Sequence, residues 1–129
     1  MNIALIAHNV KKELMVQFCI AYSGILKNHN ICATDTTGRL VSEATGLEIT
    51  RFLGSQGGGE RIASKIACNE IDMVLFFRDP ITAKPDEPND MTILRVCDGH
   101  DIPIATNMAT AELLIHGLER GDLDWRLYK

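Results

Sequence analysis

The run Asn2-Ile3-Ala4-Leu5-Ile6-Ala7 is apolar at successive positions, so a strand built from it needs cover on both of its faces. A central parallel strand with helices packed on each side meets that need. The following segment supplies such a helix: from Lys11 to Leu26, the residues Leu14, Phe18, Tyr22 and Ile25 recur at helical spacing. Lys and Glu lie opposite, and Asn28 with Asn30 marks the exit.

The unit then recurs. Ile31-Cys32-Ala33-Thr34 reads as a short strand, Asp35-Thr36-Thr37-Gly38 as a turn, and Arg39 to Thr45 as a helix closed by Gly46. Leu47 to Leu53 alternates as a strand. The glycine-rich loop Gly54-Ser55-Gln56-Gly57-Gly58-Gly59 follows, then a helix from about Glu60 to Asn69 and the strand Met73 to Phe77. Ile81 to Asp90 carries Pro85 and Pro88 without any period, a loop of the length at which loops tend to be functional. A helix over Met91 to Cys97, a strand over Ile102 to Thr106 and a helix over Thr110 to Gly117 complete the pattern, and Trp125 reads as a C-terminal packing anchor. Five such alternations imply an α/β fold in three layers around a five-stranded, mostly parallel sheet with right-handed crossovers. The 129 residues amount to a single domain over 1–129.

Charge and cysteine usage limit the partners. Seventeen Asp and Glu against thirteen Lys and Arg leave a net charge of -4, which argues against a general footprint for nucleic acid or an anionic membrane and leaves room for a small basic pocket. Apolar runs such as Met73 to Phe77 are far shorter than the roughly 20 residues of a membrane span, and no leader pattern follows Met1, so a cytoplasmic location is expected. Cys19, Cys32, Cys68 and Cys97 form no C-x-x-C pair and each lies in an apolar run, so buried thiols are expected rather than disulfides or a zinc site. His29, His100 and His116 have no partner at metal spacing, and no metal is expected.

In a sheet of this kind ligands bind beyond the carboxyl ends of the strands. Those ends are His8-Asn9, Thr34 to Gly38, the 54–59 loop, Asp79 and Thr106-Asn107. Thr36, Thr37 and Gly38 offer hydroxyls and backbone N–H groups where a helix starts, a place that favours a small anion, and Lys12 can bring an ammonium over it. The same threonines also fit ordinary helix caps. His8 reads either as a satisfied histidine or as an electrophile beside a carbonyl substrate. The glycine loop has neither the lysine of a phosphate-binding P-loop nor dinucleotide spacing, so ATP and NAD are disfavoured.

Taken together, Ile3-Ala4-Leu5-Ile6-Ala7-His8, Ala33-Thr34 with Thr36-Thr37-Gly38, Glu43-Ala44-Thr45-Gly46, Gly57-Gly58, Phe76-Phe77-Arg78-Asp79-Pro80, Leu94-Arg95 and Ile104-Ala105-Thr106-Asn107 resemble the methylglyoxal synthase family over almost the whole chain. The same fold serves as the allosteric domain of carbamoyl phosphate synthetase and in a purine-biosynthetic transformylase; a free-standing chain of this length resembles the synthase. The resemblance implies a Rossmann-like three-layer sandwich that converts dihydroxyacetone phosphate to methylglyoxal and inorganic phosphate, as a glycolytic bypass. It implies no metal or organic cofactor, and a cytoplasmic, phosphate-sensitive homohexamer. It also implies roles: His8 as the acid at the first strand end, and Lys12 with Thr34, Thr36, Thr37 and Gly38 as the phosphate cradle, joined by Gly57 and Gly58. Asp79 follows the fourth strand.

The catalytic carboxylate of the family falls on Gly59 or Glu60 according to where a gap is placed, and Glu60 is the carboxylate that fits. Elsewhere this chain carries Asn9 for an aspartate, Asp35 for a glycine, Asp86 for a histidine and Asn89 for an aspartate. A carboxylate about 4 Å from a phosphate charge repels it by roughly 4 kcal/mol at the effective dielectric of a protein surface. Asp35 and Asp86 must therefore turn away for the substrate to be held. The alternative to turnover is a phosphate-binding or regulatory module that keeps the fold.

Overall fold

The run that needs two covered faces forms β1 (Asn2–Ala7), and Ile3 to Ala7 are each fully buried in the computed structural model. The structure describes residues 1–53, 59–81 and 90–128. β1 lies between β2 (Asn30–Thr34) and β4 (Met73–Phe77), with β3 (Ile49–Phe52) and β5 (Ile104–Ala105) outside them. The sheet is parallel throughout, in the order β3-β2-β1-β4-β5. Ile3 faces Met73 and Ala7 faces Phe77 across the β1–β4 ladder, while Asn2 to Leu5 pair with Asn30 to Ala33.

Because successive side chains leave a strand on opposite faces, β1 feeds two cores. Ile3, Leu5 and Ala7 pack with Met15, Phe18 and Cys19 of α1 (Lys12–Ala21), Val41 of α3 (Asp35–Thr45) and Ala111 and Ile115 of α6 (Met108–Arg120). Ala4 and Ile6 pack with Ile62 and Ile66 of α4 (Gly59–Ala67) and with Ile93 and Cys97 of α5 (Asp90–Gly99). The three layers follow. The connections of β1 and β2 run over one face and that of β4 over the other, so β1 and β4 are neighbours whose chains depart to opposite sides. This switch point opens a crevice beyond their carboxyl ends. Among the described residues no helix is long and apolar enough to cross a membrane.

Several expectations shift. The long first helix is broken: a 3₁₀ turn over Asn9–Lys11 precedes α1, and α2 (Ser23–Leu26) follows after Tyr22 leaves helical geometry. Met15, Phe18 and Cys19 form its buried stripe, with Leu14, Tyr22 and Ile25 at the margin. Residues 35–38 are no turn but the first turn of α3, entered from Thr34 in extended conformation and ended by Gly46 at φ 76°, a left-handed geometry that glycine adopts without strain. β5 is shorter and α6 longer than the sequence pattern implies; Asn107 caps α6, its Oδ1 accepting from the Thr110 N–H at 3.0 Å.

Trp125 is not the C-terminal anchor. It is 56% exposed, and its neighbour Arg126 is the buried residue. The Arg126 guanidinium donates to Asp72 Oδ1 at 3.1 Å and Asn69 Oδ1 at 2.9 Å, while Asp72 Oδ2 accepts the Asn2 N–H at 2.9 Å. The cysteines also divide: Cys19 and Cys97 are buried, Cys32 is half-buried, and Cys68, beyond the end of α4, is exposed.

Candidate functional site

The carboxyl ends of β1, β2 and β4 bring His8, Lys12, the start of α3 and Asp79 to one end of the sheet. His8 extends the β1–β4 ladder by one step, its N–H donating to Phe77 O at 3.0 Å, and its ring stands edge-on to Phe76 with centroids 5.1 Å apart. The buried Nδ1 accepts the Asp79 N–H at 2.7 Å. An acceptor at Nδ1 places the ring proton on Nε2, so the imidazole's donor is Nε2–H. Asp79 is itself held, for its Oδ1 accepts the Ile81 N–H at 3.0 Å and closes the turn after β4.

Lys12, in the first turn of α1, folds back over the end of β1. Its Nζ donates to Ala7 O at 2.9 Å and to Asn9 Oδ1 at 3.0 Å, which keeps the ammonium beside the His8 backbone. The ammonium thus stands at the carboxyl end of β1, and Asn9 is one of its supports.

At β2 the two readings of the threonines separate. Thr34 is the N-cap residue yet makes no side-chain capping bond, and Thr36 and Thr37 lie inside the helix, so neither serves as the cap. The first-turn N–H groups of a helix have no intrahelical acceptor and carry the positive end of its dipole. Thr34 and Thr37 are buried, Thr36 is exposed, and Gly38 is enclosed. The Thr37 Oγ1 has no hydrogen-bond partner among the described residues. A buried hydroxyl left unpaired costs about 1–3 kcal/mol, so an acceptor or donor arriving from a ligand would relieve it.

Asp35 neither turns into solvent alone nor stands unbalanced beside this helix start. Arg51 of β3 reaches it, Nη1 to Oδ1 at 3.7 Å. The contact was missed in the sequence because it rests on parallel register: Ala33 pairs with Arg51, one step before Thr34, and an alternating pattern does not reveal which strands adjoin. Glu60 sits exposed in the first turn of α4 and Gly59 is buried at its start. Gly57, Gly58, Asp86 and Asn89 lie outside the described residues. Among the described residues no group of three or more His, Cys, Asp and Glu converges as metal ligands.

The MGS-like domain family model matches residues 15–106. A methylglyoxal synthase of Caldicellulosiruptor saccharolyticus is 65% identical over 127 residues, covering 98% of this chain and 90% of that relative. One of Lysinibacillus sphaericus is 56% identical over 128 residues, covering 98% and 96%. The crystal structure of methylglyoxal synthase from Elizabethkingia anophelis superposes with a TM-score of 0.84 at 37% identity, covering 88% of this chain and 76% of that one.

Proposed function

The chain belongs to the methylglyoxal synthase family, and we infer from that membership that it is a lyase converting dihydroxyacetone phosphate to methylglyoxal and inorganic phosphate. The observation that carries a mechanism is the bond from the Asp79 N–H to His8 Nδ1, because it fixes which ring nitrogen donates.

In the mechanism proposed, the Glu60 carboxylate takes a proton from the hydroxymethyl carbon beside the carbonyl. The C–H electron pair becomes the C=C bond of an enediolate, and charge gathers on the carbonyl oxygen. His8 Nε2–H donates to that oxygen; a group placed to meet developing charge stabilises the transition state more than the ground state. Collapse of the enediolate breaks the bond to the phosphate oxygen and expels inorganic phosphate. The remaining enol takes back a proton at carbon and becomes methylglyoxal. Lys12, Thr34, Thr36, Thr37 and Gly38 hold the phosphate through ammonium, hydroxyl and N–H donors, and the family resemblance adds Gly57 and Gly58 to them. The lack of a side-chain cap from Thr34 and the Thr37 Oγ1, without a partner among the described residues, support this assignment. Assembly as a homohexamer in the cytoplasm, on a bypass of glycolysis, rests on the family resemblance alone.

A second reading has its own observation: Asn9, Gly59 and Asn89 stand where the resemblance implies carboxylates, which fits an anion-binding module without turnover. Phosphate release from dihydroxyacetone phosphate, measured beside Glu60→Gln and His8→Ala variants, separates the two. As an enzyme the native chain exceeds each variant by about a hundredfold or more. Equal background rates in all three, with phosphate still raising the melting temperature by linkage, would assign the chain to the second reading.

A further inference from the structure

The start of α3 carries a carboxylate where an anion is to be bound, and the structure answers it with a cation from another strand. Asp35 occupies the first position of α3, and Arg51 crosses from the edge strand β3 to within 3.7 Å of it. The Arg51 stem takes a defined path. It lies over Gly38, where an added Cβ would come within 2.7 Å of Arg51 Cγ and 3.3 Å of its Cδ. A glycine at 38 is thus what lets the arginine lie across the first turn of α3. Beside it is the buried Thr37 Oγ1 with no partner among the described residues, an independent sign that this turn awaits a ligand.

From this juxtaposition we propose that Arg51 is a positioning and specificity-determining residue of the phosphate cradle, cancelling the charge of Asp35 so that the helix start presents a net positive field to a phosphate group. The proposal rests on the cradle reading given above. Without Arg51, an incoming phosphate meets an uncompensated carboxylate at the helix start. With it, the pair is neutral, and the helix dipole, the N–H groups and Lys12 act unopposed. Arg51 acts through Asp35 and has no share in the proton transfers, so its loss should fall on binding rather than on turnover.

The test is a cycle of four full-length chains: native, Arg51→Met, Asp35→Asn and the double variant. Methionine retains an apolar stem over Gly38 and removes the charge. Inorganic phosphate is titrated by calorimetry at low salt, and KM and kcat for dihydroxyacetone phosphate are measured in parallel. Half-exposure of the pair screens its field, so Arg51→Met should weaken phosphate binding and raise KM by about tenfold with kcat kept within about twofold. Asp35→Asn should tighten phosphate binding, the double variant should return close to native, and Arg51→Lys should recover part of the loss. Should Arg51→Met be poorly folded, tightening by Asp35→Asn alone carries the same weight. Native-like phosphate affinity in both single variants, with only the melting temperature lowered, overturns the proposal and leaves the cradle standing. A native chain that takes up no phosphate at millimolar concentration overturns the cradle and the proposal with it.

Discussion

Single side chains here are defined by what their backbone neighbours oblige them to do. His8 was legible as a candidate from its place at the end of a buried strand, but its tautomer was not, because the Asp79 N–H that sets it lies 71 residues away in the chain. Asp35 gives the complementary case. Its charge, and the conflict it would pose to an anion, were plain in the sequence, and its pairing with Arg51 was not. The cysteines show the same division. All four stand in apolar surroundings in the sequence, yet burial pushes the thiols of Cys19 and Cys97 up to about 12 and that of Cys32 up to about 11, while Cys68 is exposed. The thiolate is the nucleophile, so at pH 8 a disulfide reagent should modify Cys68 rapidly and the other three only after unfolding. Fast modification of more than one thiol in the native chain would contradict this burial pattern.

Between elements, the largest departure from sequence expectation is the start of α3. Asp35-Thr36-Thr37-Gly38 has the composition of a turn, since threonine, aspartate and glycine are weak helix formers. It is helical because Thr37 and Gly38 are packed away, and that packing outweighs a local preference of a few tenths of a kcal/mol per residue. A turn would have offered its hydroxyls as caps, whereas Thr34, at the N-cap of α3, makes no side-chain bond to the helix start. At the opposite end of the sheet, the 3₁₀ helix Asp124–Tyr128 is tied down by Arg126, which joins it to Asp72 ahead of β4 and to Asn69 beyond α4. Asp72 in turn holds the start of β1. Breaking a buried, hydrogen-bonded ion pair leaves a charge without its counter-ion, so Arg126→Met should lower stability by about 3 kcal/mol in urea unfolding. Asp72→Asn added to that variant should restore part of the loss. An unchanged midpoint for Arg126→Met would show that the clasp contributes nothing.

For the molecule as a whole, pH links the two chain ends. Partial burial, and next the nearby N-terminal ammonium, hold the His29 imidazole below the ordinary histidine range, with Asp124 opposing. The Met1 ammonium donates to its Nδ1 at 3.1 Å. A folded-state pKa below the unfolded one means that the unfolded chain binds the proton more readily. Stability from this group is therefore complete above an unfolded pKa of about 6.5 and is lost as pH falls through the lower folded value. The urea midpoint should drop between about pH 7 and pH 5, and His29→Gln, which retains an acceptor for the ammonium, should flatten that drop. A slope identical in both chains would remove His29 from the account. The alternation of strand and helix, both-sided cover for β1, the closing Gly46 and the gathering of His8, Lys12 and the threonines at strand ends were determined by the sequence alone, because each depends on periodicity or on neighbours a few residues apart. The order of the strands, the helical start of α3, the Arg51–Asp35 pair, the His8 tautomer and the burial of Arg126 in place of Trp125 were decided by tertiary structure. Each depends on which distant segments come to lie side by side, and a local pattern of apolar and polar residues carries no record of that.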